Sequence, residues 1–194
     1  MAVFSLCYLG FLWFGDAVKL RLQDLRFGVN DQYVKLFISR SKTDPYGKGT
    51  WVYVACGCSE FCPVSLLKRY ITAAGLSLES NAYLFQRLRY CRKTRGFCSS
   101  GAPVSYSAVR RDLRLSCEQV GLDSKLFGTH SFRRGGASAA HIALVSHNLL
   151  KGHGRWKSEN AKNLYIETDL REKLCVSQAV LALCQCYVWF IMSG

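Results

Sequence analysis

Four short stretches of this chain carry residue types that can do chemistry together. His130 and Arg133 stand three apart in HSFR, so a helix presents both on one face. Trp156 follows in GHGRW, and Tyr165 comes 32 residues after Arg133 and nine after Trp156. Far upstream, Lys42 sits in SKTDPYGKG. A tyrosine hydroxyl is an oxygen nucleophile, an arginine offers a forked pair of donors to an oxyanion, and His and Lys carry protons. Each has a plainer reading when taken alone: Tyr165 as a half-buried aromatic, Trp156 as a core ring, His141 and His147 as packing or surface residues. Two positions compete with the set. His153 lies twelve residues before Tyr165 and rivals Trp156, and Lys48 shares the upstream loop with Lys42, which the SKT context favours.

The composition says what such a set would act on. The chain has 194 residues, with 26 Lys and Arg against 13 Asp and Glu, a net charge of +13. That excess on one domain-sized chain points to a polyanion, nucleic acid before an anionic membrane. With 49% hydrophobic residues and only 3 prolines, a disordered basic tail is excluded. The 10 cysteines follow no clear secretory signal, so they read as reduced thiols serving as small hydrophobes. Cys56, Cys58 and Cys62 form a CxCxxxC cluster without a fourth ligand at matched spacing, and no metal or cofactor is expected. The apolar run from Ala179 to Met192 is too short for a comfortable membrane span, so no membrane association is expected either.

The elements that must position these residues follow from periodicity. Residues 3–20 read as a helix apolar nearly all round, hence buried. Strands are predicted at Leu22 to Phe27, Tyr33 to Ser39 and Thr50 to Ala55, with the lysine-bearing loop between the last two. Val34, Leu36 and Ile38 share one face of the middle strand. Pro63 suits the first turn of a helix reaching Gly75, along which Val64, Leu67, Tyr70 and Ile71 recur. Residues 87–103 read as a basic loop with Arg87, Arg89, Arg92, Lys93 and Arg95. Ser105 caps a helix whose stripe is Val109, Leu113, Cys117 and Val120, with Arg110, Arg111 and Arg114 pointing elsewhere and Gly121 ending it. Further helices are expected over 130–144, 146–152 and 158–169. The fold class is α+β: mostly helical, with a small three-stranded antiparallel sheet.

With SKTDPYGKG, CPVSLLKRY, HSFRRGGASAA and HGRWKSENAKNLY in place, the chain resembles the tyrosine recombinase (phage integrase) family, and most of all the recombinase-like proteins of eukaryotic mobile elements. The resemblance runs from about residue 8 to residue 173. It implies DNA breaking and rejoining, as in site-specific recombination or integration, through a 3′-phosphotyrosyl intermediate formed without metal. Residue by residue it implies Tyr165 as nucleophile, Arg133 as the second arginine, His130 as the general acid/base and Lys42 as the general acid for the leaving 5′ oxygen. Trp156 takes the place of a ring N–H that contacts phosphate, and Asp16 that of the acidic residue orienting the site. Arg134, Arg155, Lys157, Arg110, Arg111, Arg92 and Lys93 are the expected DNA contacts. The implied partner is double-stranded DNA, on which a homo-oligomer is compatible with the family pattern. The implied location is nuclear for a eukaryotic source and cytoplasmic for a bacterial one.

One position departs from the pattern. The family's first arginine stands three residues before the acidic residue, in a stretch like GFLRFGD, and here that place is Trp13. An indole is neither a cation nor a bidentate donor, so impaired catalysis is expected unless Arg21 or Arg26 reaches in. The alternatives are a non-catalytic DNA-binding module, a degenerate mobile-element fragment, and a type IB topoisomerase, which fits SKTD and HGRWKSE less well. Residues 1–173 read as a catalytic domain lacking its first helices and any preceding clamp domain, and residues 174–194 as an apolar tail of uncertain role.

Overall fold

In the computed structural model the described residues are 2–39, 44, 46–57, 59–93, 95–166, 174, 177 and 178. Lys42, Cys58 and nearly all of the 174–194 tail therefore lie outside them. The chain opens with α1 (Ala2–Leu9), whose Leu6 and Cys7 are buried. The single long helix expected over 3–20 is two. Phe11 takes a left-handed φ of 46° and turns the chain, and the four-residue helix α2 (Phe14–Ala17) follows. The apolar pattern runs unbroken through this turn because Phe11, Leu12 and Ala17 are as buried as α1 itself. Burial thus mimicked helical continuity.

Strands β1 (Leu25–Phe27), β2 (Tyr33–Ile38) and β3 (Thr50–Ala55) form the expected antiparallel sheet in that order. Residues 22–24, taken as strand from the sequence, are a 3-10 turn instead, closed by the Asp24 carboxylate accepting the Arg21 N–H at 2.9 Å. Register pairs Leu25 with Leu36 and Leu36 with Val52, so period-two alternation stacks Val34, Leu36, Ile38, Val52 and Val54 on one buried face. Helix α3 (Pro63–Ala73) has Pro63 in its first turn and closes this core with Val64, Leu67 and Ile71.

Residues 87–103 are no loop but a second sheet. Strands β4 (Gln86–Cys91) and β5 (Gly96–Pro103) pair as an antiparallel hairpin. Arg87, Leu88, Arg89 and Tyr90 are all exposed, so neither face is covered, and their short polar–apolar alternation is flanked by Arg92, Lys93 and Arg95, which made the segment read as a basic loop. The basic residues predicted there survive as an exposed ribbon. Helix α4 (Tyr106–Gln119) is capped by Ser105, whose Oγ accepts the Ala108 N–H at 3.3 Å, and buries Val109, Leu113 and Cys117. Val120 falls beyond the helix end and is exposed, so the stripe is one residue shorter than expected.

Helices α5 (Thr129–Ile142), α6 (His147–Gly154) and α7 (Glu159–Asn163) complete the chain's described part. A small second core of Phe11, Ala137, Leu150 and Trp156, with Tyr165 against it, joins them to the turn after α1. That junction depends on close approach. A Cβ at Gly136 would stand 2.0 Å from the Tyr8 carbonyl oxygen and 2.9 Å from the Phe11 ring. Among the described residues no helix is long and apolar enough to cross a membrane, and no three His, Cys, Asp or Glu side chains gather as metal ligands.

Gly136→Ala is expected to destabilise the chain by at least about 1–3 kcal/mol, because the clash is with backbone. Gly152→Ala, where nothing lies within 4 Å of the added Cβ in α6, is expected to be neutral or stabilising by up to about 1 kcal/mol. Circular-dichroism melts of the two variants beside the parent check the contrast.

Candidate active site

Arg133 is the centre. It points inward from α5 and is only 2% exposed. One terminal guanidinium nitrogen donates to the Phe11 carbonyl, and the other donates to the Gly154 carbonyl at 2.6 Å. Three rings surround the cation, with centroids 4.7 Å away for Trp156, 5.1 Å for Tyr165 and 5.4 Å for Trp13. Cation–π attraction offsets part of the desolvation cost. Burial first, then the like charge of Arg155, lowers the Arg133 pKa to about 10, against the opposing pull of Tyr165 and Asp16. The group is still a cation at neutral pH.

The fold brings most of the sequence-derived set to this guanidinium. His130, one turn earlier on α5, is exposed and meets the Trp13 ring edge-on at 4.8 Å. Trp156 and Tyr165 lie 5.4 Å apart by ring centroid, and Trp13 meets Tyr165 edge-on at 6.0 Å. The Tyr165 backbone is tied to α5, because its carbonyl accepts the Ser138 hydroxyl at 3.2 Å. Asp16, in the first turn of α2, interacts electrostatically with Arg155, Arg133 and Lys19, while burial raises its pKa above the ordinary carboxylate value. A cavity of about 230 Å³ opens beside the cluster, lined by Trp13, Phe14, Tyr106, Thr129, His130 and Arg133.

Three polar atoms here are buried without a hydrogen-bond partner among the described residues: Asp16 Oδ2, Arg133 Nε and Trp156 Nε1. Orphaned donors inside a protein cost free energy unless a ligand supplies the acceptor. Two N–H donors, one of them on the cation itself, suit the oxygens of a phosphate.

The other expected residues lie elsewhere. Lys42 lies outside the described residues; Lys48, its competitor, lines a second cavity of about 300 Å³ with Asp44, Lys151, Arg155 and Trp156, where the β2–β3 loop faces α6. His153 does not share the Arg133 cage: its Nε2 is 2.8 Å from the Leu9 carbonyl and its ring meets Phe11 edge-on. Neither fallback cation reaches in. The Arg21 guanidinium stacks on Tyr83 at 4.4 Å and donates to the Asn81 carbonyl, and Arg26 donates to the Gln23 and Leu25 carbonyls. Arg134, Lys157, Arg110, Arg111, Arg92 and Lys93 are exposed, with Arg111 paired to Asp112 at 3.0 Å. Arg155, grouped with them from the sequence, turns inward instead. It takes a left-handed φ of 58° at the end of α6 and donates to the Gly10, Phe11 and His153 carbonyls at 3.1–3.3 Å.

Two features stand out beyond the expected set. Trp13, which stands where the resemblance calls for an arginine, is a half-buried wall of the cage. Lys162 is fully buried, with Nζ 2.6 Å from His147 Nδ1 and 2.5 Å from the Glu159 carboxylate; only its i,i+3 spacing from Glu159 hinted at a pair.

No protein-family model matches the chain. Among curated proteins it is 28% identical over 167 residues to an integrase/recombinase XerD homolog of Selenomonas ruminantium, over 84% of this chain and 46% of that protein. The chain thus spans about half the length of that relative. Among solved structures it superposes on XerH site-specific recombinase bound to difH substrate in a pre-cleavage complex, with TM-score 0.64 and 17% identity over 89% of this chain and 43% of that one. XerA recombinase gives TM-score 0.62 at 17% identity, covering 91% and 55% of the two chains. The Tn1549 transposon integrase in complex with transposon right end DNA gives 0.58 at 12%, covering 93% and 58%. These likenesses establish the fold: the α+β arrangement of recombinase catalytic domains.

His153 yields a pH dependence. Burial lowers its folded pKa below 6.5, against the opposing bond to Leu9, so the unfolded chain takes up the proton first on acidification. The resulting loss of stability is absent well above pH 6.5 and grows as pH falls toward the lowered folded value. Between pH 7 and 5 the melting temperature of the parent is expected to fall more steeply than that of His153→Gln.

Proposed function

We propose that this chain is a tyrosine recombinase catalytic domain acting on double-stranded DNA, with Tyr165 as nucleophile. The observation that carries the reading is the packing of the Tyr165 and Trp156 rings on the Arg133 guanidinium, beside the orphaned N–H donors of Arg133 and Trp156. That arrangement puts an oxygen nucleophile next to a buried cation and two acceptor-seeking donors. The similarity to XerD-type recombinases points the same way.

In this reading the Tyr165 hydroxyl attacks the scissile phosphorus. The Oη–P bond forms as the P–O5′ bond breaks, and the diester energy is kept in the phosphotyrosyl link. The phenolic proton passes to the His130 imidazole. The departing 5′ oxygen takes a proton from the loop lysine, Lys42 in the family pattern. Arg133 and Trp156 hold the non-bridging oxygens as charge gathers on them, and Asp16 orients the cations. The exposed basic residues of α4, α5 and the β4–β5 hairpin grip backbone phosphates without reading bases. A mobile-element origin, a homo-oligomer on DNA and, in a eukaryotic host, a nuclear location belong to the same proposal.

A second reading has its own observation. Trp13 stands in the cage where the family carries an arginine, and loss of one such donor costs on the order of 10²- to 10³-fold in rate. A domain that binds DNA and no longer cuts it is the outcome if nothing compensates.

Covalent trapping on a pool of nicked duplexes of randomised sequence, read on a denaturing gel, tests both. The recombinase reading expects an adduct that Tyr165→Phe abolishes and Trp13→Arg increases, by on the order of 10²-fold. An adduct persisting in Tyr165→Phe overturns the nucleophile. Salt-sensitive duplex binding with no adduct from either the parent or Trp13→Arg establishes the binding module.

A further inference from the structure

We propose that Arg155 is the second phosphate-holding cation of this site, supplying from the end of α6 the positive charge that position 13 does not. The inference rests on the recombinase reading above and moves Arg155 from an expected surface DNA contact into the site itself.

The geometry is specific. The Phe11 carbonyl accepts from both Arg133 and Arg155, the latter at 3.1 Å, so two guanidinium groups converge on one oxygen. Both are turned away from bulk solvent. Like charges held this close repel, and each disfavours the other's ionised form. Among the described residues one carboxylate, Asp16, faces the pair, and one of its own oxygens lacks a partner there. Two cations against this one described anion leave positive charge in excess in a desolvated place. An anion placed against both guanidinium groups removes that imbalance, and a phosphate diester is such an anion.

The backbone adds an independent mark. Arg155 holds φ 58° and ψ 33°, a left-handed conformation that costs a non-glycine residue about 1–2 kcal/mol. Glycine is the ordinary occupant of a helix end with this geometry. A long cationic side chain is kept where glycine would relieve strain, and its carbonyl partners at Gly10 and Phe11 belong to the turn that leads into Trp13. Arg21 and Arg26, the other arginines near in sequence, are bonded on Asn81, Gln23 and Leu25. Arg155 also lines the cavity shared with Lys48 and Lys151, so its side chain is reachable from the face where the β2–β3 loop closes on α6.

The role makes Arg155 and a restored arginine at position 13 interchangeable, which a purely structural role does not. The probe is tungstate, a tetrahedral oxyanion, titrated by calorimetry into the full chain and into Arg155→Gly, Arg155→Gln, Trp13→Arg and Trp13→Arg/Arg155→Gly. Arg155→Gly suits the left-handed backbone, so it keeps the fold if Arg155→Gln does not, and thermal melts verify this. The expected result is binding by the parent, weakened roughly tenfold or more in Arg155→Gly, the loss of one charge-assisted contact. Trp13→Arg/Arg155→Gly then regains most of the parent's affinity. Equal affinity of the parent and Arg155→Gly overturns the proposal, as does a double variant no better than Arg155→Gly alone. Binding by Trp13→Arg with none by the parent removes Arg155 while leaving the recombinase reading in place. Absence of binding in all five proteins removes both.

Discussion

The site and the second half of the fold depend on one buried cation. The Arg133 side chain crosses from α5 to the Phe11 carbonyl on one side and the Gly154 carbonyl on the other. It therefore stitches the turn after α1 to the end of α6. A desolvated guanidinium is tolerable only with its donors satisfied and its charge stabilised, which the two carbonyls and the ring cage of Trp13, Trp156 and Tyr165 provide. What they leave unmet, among the described residues, is the Nε–H.

The elements around it are arranged to hold this cation still. Gly136 lets α5 approach Tyr8 and Phe11 closely, and Ala137 and Leu150 fill the space beneath. The main core of α1, the first sheet and α3 is separate from it and apolar. The Trp13 indole closes one side of the cage by packing on His130, Tyr165 and Arg133.

The excess positive charge is spread unevenly. Arg110 and Arg111 of α4, Arg134 of α5, Lys157 and the β4–β5 ribbon are solvated, while Arg133, Arg155 and Lys162 are drawn inward. Exposed cations contribute long-range attraction to a polyanion and are screened by salt, whereas inward ones hold specific geometry. Net charge alone could not separate the two groups.

Much of the fold was legible in the sequence. Period-two alternation marked β2, a proline marked the first turn of α3, and a serine cap with an apolar stripe marked α4, because each burial pattern is written by neighbours a few residues away. The spacing of Arg133, Trp156 and Tyr165 likewise foretold residues that meet, since one run of α5 to α7 carries all three. The failures have one physical cause. The break at Phe11 was hidden because apolar residues run through it whether buried, as Leu6 and Leu12, or exposed, as Tyr8 and Leu9, and the β4–β5 hairpin was hidden because neither face is buried. The inward turn of Arg155 and the burial of Lys162 rest on partners supplied by other elements: the Gly10 and Phe11 carbonyls for one, His147 for the other. Local chemistry is written along the chain. Which of many arginines turn inward is decided only when segments 122 to 145 residues apart are brought within hydrogen-bonding distance.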